Sequence, residues 1–200
     1  MSSATAPTFR YFPSASTSPQ STWTAEPHPC GGCGQVGPGF AGPYYGEQDV
    51  EFLCSTCLVS GRLGELEGSA NSADRAELLT QLRERAPASA ETLAEVRTRE
   101  LEERTPHVTS WQDFLWPAHC GDYCAFEGEV GQRELAGLSP TGDGEAFFRE
   151  HLHPSYREGT PDYAELVPPH APGPGEEWSV GVWLLRCLTC ARAVLLWDCD

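Results

Sequence analysis

Two cysteine pairs, Cys30-Gly-Gly-Cys33 and Cys54-Ser-Thr-Cys57, stand 20 residues apart and constrain this chain more than any other feature of its sequence. Two residues between cysteines let a tight turn aim both sulfurs at one point, and two such turns complete the four-coordinate tetrahedron that zinc accepts. A catalytic zinc keeps a position open for water and commonly has His or carboxylate ligands. The pattern therefore predicts a structural zinc site on Cys30, Cys33, Cys54 and Cys57. Gly31 and Gly32 suit the backbone angles of such a turn. Independent reduced thiols and an iron–sulfur cluster are the competing readings.

The compartment decides how the remaining cysteines are read. The longest apolar run, Ala193-Val-Leu-Leu-Trp197, falls far short of the ~20 residues of a membrane span. Met1-Ser-Ser-Ala-Thr-Ala-Pro7 offers neither the basic nor the apolar region of a secretion signal. A cytoplasmic protein is expected, and in a reducing compartment paired cysteines hold metal or do redox work more often than they form disulfides. The nine cysteines comprise the two pairs above, Cys120-Gly-Asp-Tyr-Cys124, Cys187-Leu-Thr-Cys190 and Cys199.

Charge excludes several functions. Arginine supplies all 13 basic residues, there is no Lys, and 29 acidic residues bring the net charge to −16. A Walker-type phosphate loop needs its Lys and is impossible here. Dispersed arginines on an acidic chain cannot neutralise a run of phosphates, so neither nucleic acid nor an anionic membrane is expected as a partner.

Along the chain, Phe9-Arg-Tyr-Phe-Pro13 reads as an extended entry segment with an aromatic anchor. Gly37-Pro-Gly-Phe-Ala-Gly42 satisfies G-x-G-x-x-G, but Pro38 and Pro43 oppose the helix a dinucleotide site requires, and the stretch reads as a loop. Ser72 is placed as the N-cap of a helix burying Leu78, Leu79 and Leu82, and Pro87 stops it. Ser89 caps a second helix running to about Arg104, with Leu93, Val96 and Leu101 on its buried stripe. Trp111, Phe114, Trp116, Tyr123 and Phe126 read as core. Residues 137–144 read as a loop, Glu145–Leu152 as a short helix and 159–177 as irregular. Trp178–Arg186 and Arg192–Asp198 predict two antiparallel strands meeting at the Cys187-Leu-Thr-Cys190 turn.

Cys187 and Cys190 offer the start of a second metal site, which Cys120 and Cys124, whose spacing suits one helical turn, could complete, with His119 as an alternative ligand; the spacing is less typical of zinc and does not make this site the expectation. The competing reading makes Cys120 and Cys124 small apolar core residues. A dithiol enzyme places its C-x-x-C at the start of a helix after a strand, a setting that neither Cys30 nor Cys187 has. His151-Leu-His153 reads as a solvated helix end, and neither G-x-S-x-G nor H-E-x-x-H occurs.

Five features in order give the chain a resemblance to the CbrC family of small bacterial proteins. They are Phe9-Arg-Tyr-Phe-Pro13; Cys30-x-x-Cys33; Gly42-Pro-Tyr-Tyr45 ahead of Leu53-Cys54-x-x-Cys57; Arg104-Thr-Pro106 with Trp111-Gln112, Trp116, His119-Cys120, Asp122 and Phe126; and Arg186-Cys187-Leu-x-Cys190 with Asp198. The chain departs from the family after the second Cys pair, reading Leu58-Val-Ser-Gly-Arg62 where an Ile-Ala-Asp-Gly-Ser-like run is usual. The resemblance implies an association, by name, with tolerance to the nuclease toxin colicin E2, and brings no catalytic activity with it.

The expected architecture is α+β: one CbrC-like unit over residues 1–200, with a zinc-knuckle lobe at 30–57, two middle helices and a C-terminal antiparallel hairpin. The expected function is a non-enzymatic zinc-binding accessory or stress-tolerance protein acting through a protein partner. The alternative is a metal- or thiol-dependent enzyme using His119, Cys120 and Asp122.

Overall fold

The computed structural model describes residues 7–173, 176 and 178–199. Strands β1 (Trp23–Pro29), β2 (Val36–Ala41) and β3 (Phe52–Cys54) form an antiparallel sheet in the order β1-β2-β3. The segment expected to be a loop is thus its central strand. Its proline and glycines have positional reasons. Pro38 lies where the β1–β2 register slips, so its missing N–H breaks no ladder pair. A Cβ on Gly39 would stand 2.2 Å from the Leu53 carbonyl oxygen, so only glycine lets β2 approach β3 this closely.

Helix α1 (Ser55–Ser60) follows β3 directly and ends at Gly61, whose φ of 80° suits glycine. Helix α2 spans Arg75–Arg85 and α3 spans Ala90–Arg104. The N-cap of α2 is Asp74, which accepts from the Glu77 N–H at 2.8 Å, and not Ser72. Ser72 and Ala73 are instead paired in parallel with Leu115 and Trp116, which delays the helix by two residues. Leu78, Leu79 and Leu82 are buried as expected. On α3 the buried stripe is Ala90, Ala94, Thr98 and Leu101, while Val96 is 58% exposed. The Asn71 Nδ2 donates to the carbonyls of Leu101, Thr105 and Pro106, satisfying groups that the end of α3 leaves open.

Strands β4 (Ala118–His119) and β5 (Asp122–Tyr123) make a tight hairpin whose two turn residues, Cys120 and Gly121, both have positive φ, 59° and 80°. Cys120 and Cys124 are therefore not on a helical turn. Strand β6 (Ala125–Glu129) follows, then helices α4 (Gln132–Leu138) and α5 (Gly144–His151). Helix α4 occupies the start of what reads as a loop. Strands β7 (Val180–Arg186) and β8 (Ala193–Cys199) complete a second antiparallel sheet in the order β6-β7-β8.

The β7–β8 hairpin is buried on both faces, which explains its nearly continuous apolar sequence. Alternation sends Trp183, Leu185, Val194 and Leu196 into one core with Trp116, Tyr123 and Phe126. It sends Val182, Leu184, Ala193 and Leu195 into a smaller core with Leu135 and Phe148 from α4 and α5. The entry segment carries three buried rings: Phe9 meets Phe40, Tyr11 meets Tyr123 and Phe12 meets Phe126, at centroid distances of 5.3, 5.8 and 5.1 Å. Trp111, expected in the core, is 44% exposed. The α+β class, the cysteine-bearing segment and the C-terminal strand pair are as the sequence indicates.

A bulge in β6 has an electrostatic effect. Between Phe126, opposite Leu185, and Gly128, opposite Leu184, Glu127 is an extra residue, and Glu129 comes to lie opposite Trp183. Without the bulge, residues 126 and 129 would point to opposite faces; with it, Glu129 shares the face of Phe126 and Trp183. Burial first, and Asp198 second, push the Glu129 pKa up to about 7. A carboxyl whose folded pKa is raised is most stabilising while protonated, so the protein loses stability as pH climbs through the interval from 4.5 to about 7. Glu129→Gln should therefore be more stable than the parent by about 1–2 kcal/mol at pH 8, allowing for solvent screening, with the gap closing near pH 4. Urea unfolding at the two pH values checks this; an equal gap at both would refute the protonation argument.

Candidate metal centre

The donor atoms of Cys30, Cys33, Cys54 and Cys57 all lie within 4.8 Å of one another. The Cys33 and Cys54 sulfurs are 3.9 Å apart, close to the ~3.8 Å edge of a tetrahedron with metal–sulfur bonds of ~2.3 Å. The first pair comes from the β1–β2 turn. The second comes from the junction of β3 with α1, where Cys54 is the N-cap and Cys57 lies in the first turn. A pair at a helix start after a strand is the setting of a redox dithiol. Here, however, that pair is drawn into a cluster of four.

The thiol chemistry fits shared ligation. Burial opposes ionisation of Cys30, but N–H donors of Cys54, Cys33 and Gly32 outweigh it and lower its pKa to about 7. Burial pushes Cys54 and Cys57 up. The Arg62 Nε donates to the Gly32 carbonyl at 3.2 Å, bringing a guanidinium beside the cluster.

A second group consists of His119, Cys120, Cys187 and Cys190, whose donor atoms also lie within 4.8 Å of one another. The fourth donor is thus His119, and its Nδ1 stands 3.5 Å from the Cys190 sulfur. Cys124, the sequence's candidate for this set, is fully buried in the larger core, as its competing reading as a small apolar core residue has it, and its carbonyl accepts from the Trp116 Nε1 at 2.7 Å. The tight β4–β5 turn is the reason, since it projects residues 119 and 120 at its tip toward the cysteine turn and leaves residue 124 behind. Cys199 belongs to neither group; its carbonyl accepts from the Gln112 side chain.

Burial, then the charges of Arg192 and Arg85, lower the His119 pKa and favour the neutral imidazole that a metal requires. The Arg192 N–H, foremost, lowers that of Cys190. The Arg85 Nη2 lies 3.6 Å from the Cys120 sulfur. Behind the site, Glu77 accepts from the Ala118 N–H at 2.8 Å and meets the His153 Nε2 at 3.1 Å. His153 is therefore a packed partner of α2, and no solvated helix end.

The two cysteine turns share one backbone design. The Cys30 N–H bonds to the Gln35 carbonyl at 2.9 Å, and the Gly34 N–H bonds to the Cys30 carbonyl at 2.7 Å. The Cys187 N–H bonds to the Arg192 carbonyl at 2.9 Å, and the Ala191 N–H bonds to the Cys187 carbonyl at 3.0 Å. Gly34 and Ala191 both have positive φ, 72° and 59°. Each turn is the tip of a hairpin in a three-stranded sheet.

Asp122 does not join His119 and Cys120. Its carboxylate accepts from Tyr11 Oη at 2.8 Å and from the Tyr123 N–H at 3.0 Å, and is paired with Arg10.

The fold and the two clusters define an α+β protein with two Cys/His groups able to hold metal ions. The model of the Uncharacterised protein family (UPF0167) matches residues 6–199, and the chain belongs to that family. It is 29% identical over 192 residues to a UPF0167 protein of Pseudomonas aeruginosa, covering 94% of this chain and 93% of the relative. It is 34% identical over 136 residues to a UPF0167 protein of Mycobacterium bovis, covering 66% and 65%. A UPF0167 protein of Mycobacterium tuberculosis matches to the same extent. No solved structure matches significantly. Among the described residues, no helix is long and apolar enough to cross a membrane.

Proposed function

We propose that the protein is a non-enzymatic, cytoplasmic zinc-binding accessory protein whose two metal centres fix hairpin ends into a surface for a protein partner. The observation that carries this reading is that each cluster gathers four protein donors, leaving no position open for water or substrate. Four thiolates, and three thiolates with one imidazole, are donor sets of structural zinc. The net charge of −16 favours a protein partner over nucleic acid. The resemblance to the CbrC family supports a narrower version, in which the partner relationship serves tolerance to stress or to a toxin such as colicin E2.

The enzyme reading on His119, Cys120 and Asp122 has less support, because Asp122 is engaged with Arg10 and Tyr11. Loading the protein with Co2+ separates the two. Closed thiolate sites should give a visible spectrum that added azide leaves unchanged. A spectrum that shifts with azide would reveal an open position and favour the enzyme.

A further inference from the structure

A cavity of about 450 Å³, with no residue of either cysteine cluster in its lining, lies where Gln20, residues 109–111 and the segment around Pro172 and Trp178 meet Glu129 of β6 and Trp183 of β7. Trp111, Trp178 and Trp183 line it, three of the protein's six tryptophans. Glu129 and Glu176 supply its charge; no Arg or His is among its described lining residues, and His170, 3.7 Å from Glu176 and edge-on to Trp178, is the basic group nearest Glu176. An indole-rich cavity whose Glu129 carboxyl has no basic partner among the described residues selects a definite chemistry.

The sheet side of the cavity is held in place. The Trp183 Nε1 donates to Asp198 Oδ1 at 2.8 Å, which fixes the indole plane, and the β6 bulge brings Glu129 opposite that residue. Among the described residues the Glu129 carboxyl has one hydrogen bond, from the Gln20 Nε2 at 3.3 Å, and no cationic partner. Trp111 is 44% exposed at the mouth. A smaller cavity of about 290 Å³ shares Gln20 and Glu129 and adds Glu127.

We propose that this cavity binds a small organic cation bearing an alkylated ammonium group. The faces of indole rings are negative and attract such a cation, whose methyl groups require no hydrogen bonds and fill apolar walls. A half-buried carboxyl such as Glu129, with no cationic partner among the described residues, gains the charge it lacks. A metal ion would need more oxygen donors than Glu129 and Glu176 offer.

The test uses the full, zinc-loaded chain, tryptophan fluorescence and calorimetry, with choline as probe and 3,3-dimethyl-1-butanol as its neutral isostere. Choline is expected to saturate with a dissociation constant in the millimolar range or below, and the isostere to bind about tenfold more weakly or worse. Trp111→Ala, at an exposed position the core does not need, should weaken choline about tenfold. Glu129→Gln should weaken it several-fold while remaining folded. No saturation by roughly 10 mM choline, equal binding of the isostere, or indifference to both substitutions would overturn the proposal.

Discussion

Cys54→Ser is expected to reduce the zinc content of the purified protein from two equivalents to one and to lower its melting temperature by about 10 °C or more. Metal binding at a site that the unfolded chain lacks is folding free energy, with apparent values of roughly 10–16 kcal/mol for small structural zinc domains. Even a modest fraction of that is a large share of a domain's net stability. The loss should be local as well. The segment between Gly34 and Leu53 contains β2, whose edges are tied only to β1 and β3, so limited proteolysis should shift to it. Cys54→Ala gives the same reading without a residual oxygen donor. Element analysis and protease mapping are the measurements, and full retention of two equivalents would remove the first site.

The second centre gives a sharper contrast, because the fourth donor is either His119 or Cys124. Cys187→Ser and His119→Ala should each remove the second equivalent and leave the first. Cys124→Ser should keep both equivalents and cost about 1–3 kcal/mol, the penalty of a hydroxyl in an apolar core. Zinc lost from Cys124→Ser but kept in His119→Ala would restore the all-cysteine arrangement. Zinc kept in every variant would remove the second site.

The cysteine turns were legible because their geometry is local: two intervening residues determine where both sulfurs point. The helices at 75–85 and 90–104 and the C-terminal strands were legible from periodicity and from Pro87 and Pro106. What eluded the sequence depended on contacts between distant segments. Pro27, Pro29 and Pro38 hide β1 and β2, because nothing local says that prolines will fall at an edge and at a register slip. Ser72 looks like a cap until its pairing with Leu115 pulls it into a strand. The Cys-x3-Cys spacing at 120–124 suggests a helix, whereas Cys120 and Gly121 together, with Asp following, make a hairpin turn. His119 could have been promoted over Cys124 on that ground alone. The contact of His153 with Glu77 joins residues 76 apart, and no pattern announces it.

The spans of the two clusters also set an order of assembly. Cys30 and Cys54 are 24 residues apart, while His119 and Cys187 are separated by 68. Closing the longer loop costs only about 0.9 kcal/mol more, so equilibrium hardly distinguishes them. Synthesis does. The first centre can close once Cys57 has left the ribosome, whereas the second waits for Cys190, about 130 residues later, an interval of roughly 7–25 s at ordinary elongation rates. Throughout that interval the His119–Cys120 tip has no cysteine turn to face, and a nascent chain stalled within it carries one metal ion at most. Occupancy of the second centre therefore records that translation has passed the final hairpin turn.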